Sequence, residues 1–225
     1  MAIKTVYVCS NCGNTVKRWL GQCPECGEWN TFTEEFEETG RASSKKSAAA
    51  ARTTDLFSVD TVMEERLKTG ISELDRVLGG GIVKGSVVLI GGEPGAGKST
   101  LLLQMCGKIG DRTKIFYFSG EESSHQIRMR ADRMNIVSGN IFISAETDME
   151  KICNTVSSEK PDIVIIDSIQ TMFISGITSS QGSVTQVREC TSMIQKTAKT
   201  LDIPVFIVGH VNKDGAIADL KSWSI

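Results

Sequence analysis

The stretch Gly92-Glu93-Pro94-Gly95-Ala96-Gly97-Lys98-Ser99-Thr100 fits the pattern G-x-x-x-x-G-K-[ST], with the apolar run Val87-Val88-Leu89-Ile90 before it and Leu101-Leu102-Leu103 after it. Few folds remain open to such a chain: a strand must deliver it to a glycine-rich loop, and a helix must start near Lys98. Glycines at these positions let the backbone curl around a polyphosphate, so that successive N–H groups and the positive end of the helix face negative charge. Lys98 then reaches the β and γ phosphates, and the Ser99 hydroxyl is a ligand for Mg²⁺. The expected ligand is a nucleoside triphosphate, ATP with Mg²⁺. A glycine turn without chemistry would have to reproduce strand, spacing, lysine and hydroxyl together.

Apolar runs and helical patterns alternate along the rest of the chain. Strands are expected over 115–118, 141–143, 163–167 and 205–208, with helices over 124–134, from an Asp148 cap to about 156, and over 184–201. Upstream, 70–81 reads as a short helix with Ser72 as N-cap, stopped by Gly79-Gly80-Gly81. Strands alternating with helices predict an α/β domain with a mostly parallel sheet and right-handed crossovers. Ligands of such sheets gather at the carboxyl ends of the strands, and that rule sorts the polar residues. Asp167 ends an apolar strand where a Walker B acid would hold Mg²⁺ or its water shell, or else caps a turn. Glu121 and Glu122 end a strand read as the neighbour of the phosphate-loop strand, where a carboxylate orients and deprotonates the attacking water. Glu121 is favoured for this role, and either acid also suits the first turn of the next helix. His210 ends another strand near the expected γ phosphate, as a nucleotide sensor or as a packing residue. Arg130 and Arg133 lie on the 124–134 helix, either within reach of base or ribose or simply solvated.

Cys9-Ser10-Asn11-Cys12 and Cys23-Pro24-Glu25-Cys26 are two C-x-x-C knuckles, followed by Gly13 and Gly27. Cys9, Cys12, Cys23 and Cys26 thus form the ligand set of a Cys₄ zinc ribbon. Four thiolates leave no open position for water, so the zinc is structural, and in so small a module metal binding is the folding energy. Disulfides and a redox pair are the alternatives. Lys17, Arg18, Trp19 and Trp29 surround the knuckles; they either pack over the metal site or grip nucleic acid by phosphate contact and stacking. Cys106, Cys153 and Cys190 sit in helical stretches and read as core thiols.

Composition divides the 225 residues, 40% of them apolar and 23% charged, into a zinc ribbon over 1–35, a flexible linker over 36–55 and an ATPase core over 56–225. The formal net charge of −2 excludes a globally basic nucleic-acid binder, so any such binding must be local. There is no run of about 18 apolar residues and no secretory h-region, so the expectation is a cytoplasmic protein without a membrane partner.

Four segments together, Tyr7-Val8-Cys9-Ser10-Asn11-Cys12-Gly13, Trp19-Leu20-Gly21-Gln22-Cys23-Pro24-Glu25-Cys26-Gly27, the 70–81 helix and Val208-Gly209-His210-Val211, resemble the bacterial RadA (Sms) family over about 1–218. That family is RecA-like in its ATPase core. The resemblance implies a DNA-dependent ATPase of DNA repair and recombination, a homo-hexamer acting on single-stranded DNA and recombination branches, with recombinase or replication proteins as partners. It further implies Cys9, Cys12, Cys23 and Cys26 as zinc ligands, 92–99 as the phosphate loop, Glu121 as catalytic carboxylate, Asp167 as Walker B acid, His210 as coupling position and 168–183 as a DNA-facing loop. After Ala218 the chain departs from the family, whose members continue into further core strands, a Lys-Asn-Arg-Phe-Gly motif and a Lon-protease-like domain. The expectation from that departure is a truncated core, and the alternative function is a nucleotide- and zinc-binding fragment without efficient turnover.

Overall fold

The computed structural model describes residues 3–9, 13–38, 54–58 and 66–210. Near the N-terminus, β1 (Ile3–Cys9) is the centre of a three-stranded antiparallel sheet, between β2 (Thr15–Val16) and β3 (Phe32–Glu38). Cys9, Cys23 and Phe32 are buried together, with Tyr7, Val16, Leu20 and Cys26 packed against them. Among the described residues this is the buried cluster of the module, and it is small. Trp19 and Trp29 do not cover it: they are 52% and 67% exposed, and both rings face the Gly21 backbone instead. β3 also carries the acidic stretch to Glu38, paired with Ile3, into the segment that composition assigns to linker. Backbone pairing along β1 outweighs an unfavourable composition there.

Upstream of the phosphate loop, α1 (Ser72–Val77) starts one position from the expected cap. Ile71 is the N-cap residue and no side chain caps the helix, so Ser72 does not have that role. Instead Asp75 accepts the Thr69 N–H at 2.8 Å, and the Thr69 hydroxyl accepts the Ile71 N–H at 3.2 Å. The Asp75 carboxylate thereby bridges the entry loop to the helix.

The main domain runs β4 (Val87–Gly92), α2 (Lys98–Ile109), β5 (Ile115–Ser119), α3 (Ser124–Arg133), β6 (Ile141–Ser144), α4 (Met149–Glu159), β7 (Ile163–Asp167), α5 (Val184–Leu201) and β8 (Val205–His210). Its five strands form a parallel sheet in the order β4-β8-β7-β5-β6. All residues of β5 and β7 are buried, as the unbroken apolar runs require of strands covered on both faces. Alternate side chains serve opposite layers. Phe116, Phe118, Val164, Ile166, Val205 and Ile207 pack with α4 and α5, whereas Ile115, Tyr117, Ile163, Ile165, Phe206 and Val208 pack with α2 and α3. Burial raises the thiol pKa of Cys106 and of Cys190 to about 12 and raises that of Cys153, so these three cysteines are inert core residues.

The strand order corrects one expectation. β5, which leads to Glu121, is not the neighbour of β4; β8 and β7 stand between them. Hydrophobic runs specify strands but not their lateral order, so this distinction is invisible in sequence.

Candidate functional site: the carboxyl edge of the parallel sheet

Register aligns the strand ends. Gly92 pairs with His210 and Ser119 with Asp167, so the phosphate loop, β8, β7 and β5 all end at one edge. Gly95 and Gly97 have φ of 81° and 85°, a region that L side chains rarely adopt, and a Cβ at either would meet nothing within 4 Å. The loop therefore curls over open space. No side chain caps α2, which leaves its first N–H groups for an anion. Lys98 is 8% exposed; its amine donates to the Gly92 and Glu93 carbonyls at 2.8 Å each and lies 3.3 Å from His210 Nδ1.

From Lys98 the contacts continue laterally. His210 Nε2 is 2.7 Å from Glu121 Oε1, and the same oxygen accepts a hydrogen bond from the buried Ser168 hydroxyl. Burial pushes the Glu121 carboxyl up, but the hydrogen bonds from Ser168 and His210, with the charges of His210 and Lys98, outweigh it and hold the pKa below the ordinary carboxylate value. Gly120 fixes the approach: its N–H donates to the Asp167 carbonyl at 3.0 Å, and a Cβ there would meet Thr171 Cβ at 2.6 Å and Thr147 Cγ2 at 2.7 Å. Only glycine fits between β5 and the turn after β7.

Glu122 is turned away from this set. It forms an ion pair with Arg130 on α3, whose start is capped reciprocally by Ser123 and Gln126. Arg130 is thus occupied by an acid, and Arg133 is exposed in the last helical turn. Of the two glutamates, Glu121 alone reaches His210 and Ser168 among the described residues.

Asp167 is buried and Tyr117 donates a hydrogen bond to its Oδ2. Burial foremost, and then the Asp167 charge and hydrogen bond, push the Tyr117 phenol far up, so the tyrosine stays a donor. The other oxygen, Oδ1, is buried with no hydrogen-bond partner among the described residues. An orphaned carboxylate oxygen at the end of a strand beside the phosphate loop suits Mg²⁺ or one of its waters, since Mg²⁺ takes hard oxygen donors. The peptide bond between Asp167 and Ser168 is cis. Tyr117 and Ser168 escaped the sequence reading; the signals for them were a lone hydroxyl within Ile115-Phe116-Tyr117-Phe118 and a serine directly after Asp167.

The stretch after Asp167 is less uniformly polar than it reads. Met172 and Ile174 are buried in the α4/α5 layer, and the amide of Gln186, 2% exposed on α5, accepts the Ile174 N–H at 2.9 Å and donates to Ser179 O at 3.0 Å and Ile177 O at 3.2 Å. Only about 175–182 is left mostly exposed.

A second constellation lies in the N-terminal module. The sulfurs of Cys9, Cys23 and Cys26 are within 4.8 Å of one another, and Cys9 Sγ is 3.7 Å from Cys26 Sγ. That spacing far exceeds a disulfide bond of about 2.05 Å. It matches the roughly 3.8 Å edge of a tetrahedron with Zn–S bonds of about 2.3 Å. Gly13 and Gly27, at φ of 73° and 76°, donate back to the Cys9 and Cys23 carbonyls, so both knuckles close in the same way. Cys12 lies outside the described residues, as do residues 39–53 of the expected linker and residues 211–225. The three described thiols fit zinc, which would be held by Cys9, Cys23 and Cys26 with Cys12 as the fourth position.

A phosphate loop beside a buried acid on a parallel sheet is the arrangement of a P-loop nucleotide-binding domain, and the chain belongs to the AAA domain family, whose model matches residues 50–216. A rubredoxin metal binding domain model matches residues 7–34. The chain is similar to the DNA repair protein RadA of Halalkalibacterium halodurans, 48% identical over 223 residues that cover 97% of this chain and 49% of that protein. It is 47% identical over 221 residues to the DNA repair protein RadA of Bacillus subtilis, covering 96% of this chain and 48% of that protein. The RadA of Haemophilus influenzae is 47% identical over 227 residues, 98% and 49% of the two chains. The chain thus spans about half the length of the curated relatives it matches. Among the described residues no helix is long and apolar enough to cross a membrane.

Proposed function

We propose that this chain is the ATPase part of a DNA repair protein, one that binds ATP with Mg²⁺, hydrolyses it, and couples the reaction to single-stranded or branched DNA within a homo-oligomeric ring. The observation that supports this most is the continuous line from Lys98 through His210 to Glu121, at 3.3 Å and 2.7 Å, beside a half-unpartnered Asp167. Binding rests on residues 92–100: the loop N–H groups cradle the phosphates, Lys98 exchanges its carbonyl partners for β- and γ-phosphate oxygens, and the Ser99 hydroxyl and Asp167 hold the metal. Mg²⁺ supplies charge neutralisation on the phosphates. Glu121 orients a water for in-line attack on the γ phosphorus; the water oxygen forms the new P–O bond, the bond to the β-phosphate oxygen breaks, and the proton passes to Glu121. A carboxylate held below its usual pKa stays ionised but is a weak base, so orienting the water is its larger contribution. His210, touching both Lys98 and Glu121, reports occupancy of the γ-phosphate position to the end of β8. The zinc ribbon, whose sheet extends to Glu38, is a structural module joined to the core through the residues up to about 55.

The test is a pair of substitutions on one preparation. Lys98→Ala weakens ATP binding itself, whereas Glu121→Gln keeps binding and lowers turnover by about 10²–10⁴-fold. Equal loss of binding in both would assign Glu121 to structure. Turnover measured with and without single-stranded DNA separates a DNA-coupled ATPase from a nucleotide-binding fragment.

A further inference from the structure

The phosphate loop occupies one end of the sheet. At the other end the turns before β5, β7 and β8, together with residues 66–68 and 82–84, surround a cleft of about 970 Å³. Its walls carry Arg66, Lys68, Lys84, Arg112 and Lys160 against two acids, Asp162 and Asp202. Asp162 already accepts the Lys114 N–H at 2.7 Å, and Asp202 is the residue on which α5 ends. Arg66 and Lys68 donate to the Leu78 and Gly80 carbonyls at 2.8 Å and 2.7 Å, which fixes their charges at the rim without neutralising them. Lys84, Arg112 and Lys160 are exposed and form no ion pair among the described residues. Five cations against two carboxylates give a local excess of positive charge in a chain whose formal net charge is −2.

Small-molecule pockets are enclosed and hold a few convergent polar groups, whereas this cleft is open, with a floor of aliphatic residues such as Ile82 and Ile203, a cationic rim and no aromatic residue in its lining. Aromatic side chains would be needed to stack bases, so base recognition has no support here. Flexible cations around an open trough instead match a chain of phosphates, which they contact without regard to sequence. We propose that this cleft is a second nucleic-acid contact, binding the sugar-phosphate backbone of single-stranded DNA at the end of the sheet remote from the phosphate loop. The inference rests on the DNA-coupled reading above for its partner, but not on the ATP site. It supplies a local basic surface of the kind that nucleic-acid binding requires in a chain of this net charge.

The experiment uses the full chain, a fluorescein-labelled oligo-dT strand and anisotropy titrations across a salt series. The variant is Lys84→Gln/Arg112→Gln/Lys160→Asn; asparagine is chosen because Lys160 has a φ of 45°, which Asn tolerates. Removing three phosphate contacts should reduce the slope of log affinity against log salt by about 2. Melting temperature and binding of a fluorescent ATP analogue should remain as in the parent chain. An unchanged slope and affinity in the variant, while the parent chain binds the strand, overturns the cleft and leaves the DNA-coupled reading intact. A parent chain that does not bind the strand at any salt overturns both. Inorganic tripolyphosphate and ATP are the competitor arms: displacement of the strand only at charge-equivalent excess supports a backbone track, whereas a triple variant that loses tripolyphosphate binding but keeps strand binding assigns the cleft to free phosphates and overturns the proposal.

Discussion

Tyr117 and Asp167 form the most consequential pair in the interior. Both are buried, and the phenol satisfies one carboxylate oxygen while the other has no hydrogen-bond partner among the described residues. Tyr117→Phe removes the donor and strands a buried charged oxygen, for which we expect a loss of about 1–3 kcal/mol in urea unfolding. A change below about 0.5 kcal/mol, the range of an ordinary surface substitution, would show that the phenol is not what holds Asp167. Ser168→Ala acts on the neighbouring acid. Glu121 loses one of the hydrogen bonds that keep it charged and aimed, so turnover should fall while ATP affinity holds. The readout is steady-state hydrolysis beside nucleotide binding, and a parallel loss of both would instead mean that the turn after β7 has collapsed.

Among the elements, α5 has a second function besides covering the sheet. Through Gln186 it ties the backbone at Ile174, Ile177 and Ser179, so the exposed stretch 175–182 is anchored at its base. Gln186→Ala removes these hydrogen bonds, and we expect a loss of about 1–3 kcal/mol together with faster protease cleavage within 175–182. Unaltered cleavage would indicate that the segment is held elsewhere. The N-terminal sheet poses the opposite case, with only a small buried cluster among its described residues. Chelation of zinc, or Cys23→Ser, should abolish the ordered structure of about 3–38 and leave the melting of the main domain and its nucleotide affinity nearly unchanged. Ordered, unchanged spectra of that module after metal removal would rule out a structural metal.

For the whole molecule, the Glu121 carboxyl provides a pH signature. Its folded pKa lies below the unfolded value, so it stabilises the folded state above the ordinary carboxylate range and that contribution disappears as pH falls through the folded pKa. The stability difference between the parent chain and Glu121→Gln should therefore be constant near neutrality and shrink on acidification. A difference that grows toward low pH would contradict the proposed network. The phosphate loop, the strands and helices that carry it, the paired cysteine knuckles and the place of Asp167 at the end of an apolar strand were legible in sequence because each depends on local spacing: a glycine pattern, a hydrophobic period, a two-residue gap between thiols. Even the limits of α5 and β7 agree to the residue.

What local spacing does not encode is which side chains meet once distant strands are laid side by side. The insertion of β8 and β7 between β4 and β5 decided that Glu121 reaches the phosphate lysine through His210, and α3 decided that Glu122 is spent on Arg130. The exposed tryptophans, the Tyr117 and Ser168 hydroxyls and the basic cleft at the far end of the sheet are likewise products of packing. Sequence determined the elements and the chemistry available at their ends, since backbone propensity and short motifs act over a few residues. Tertiary structure alone decided the partners, because hydrogen bonds and charges act over a few ångströms between residues far apart in sequence, 112 positions in the case of Lys98 and His210.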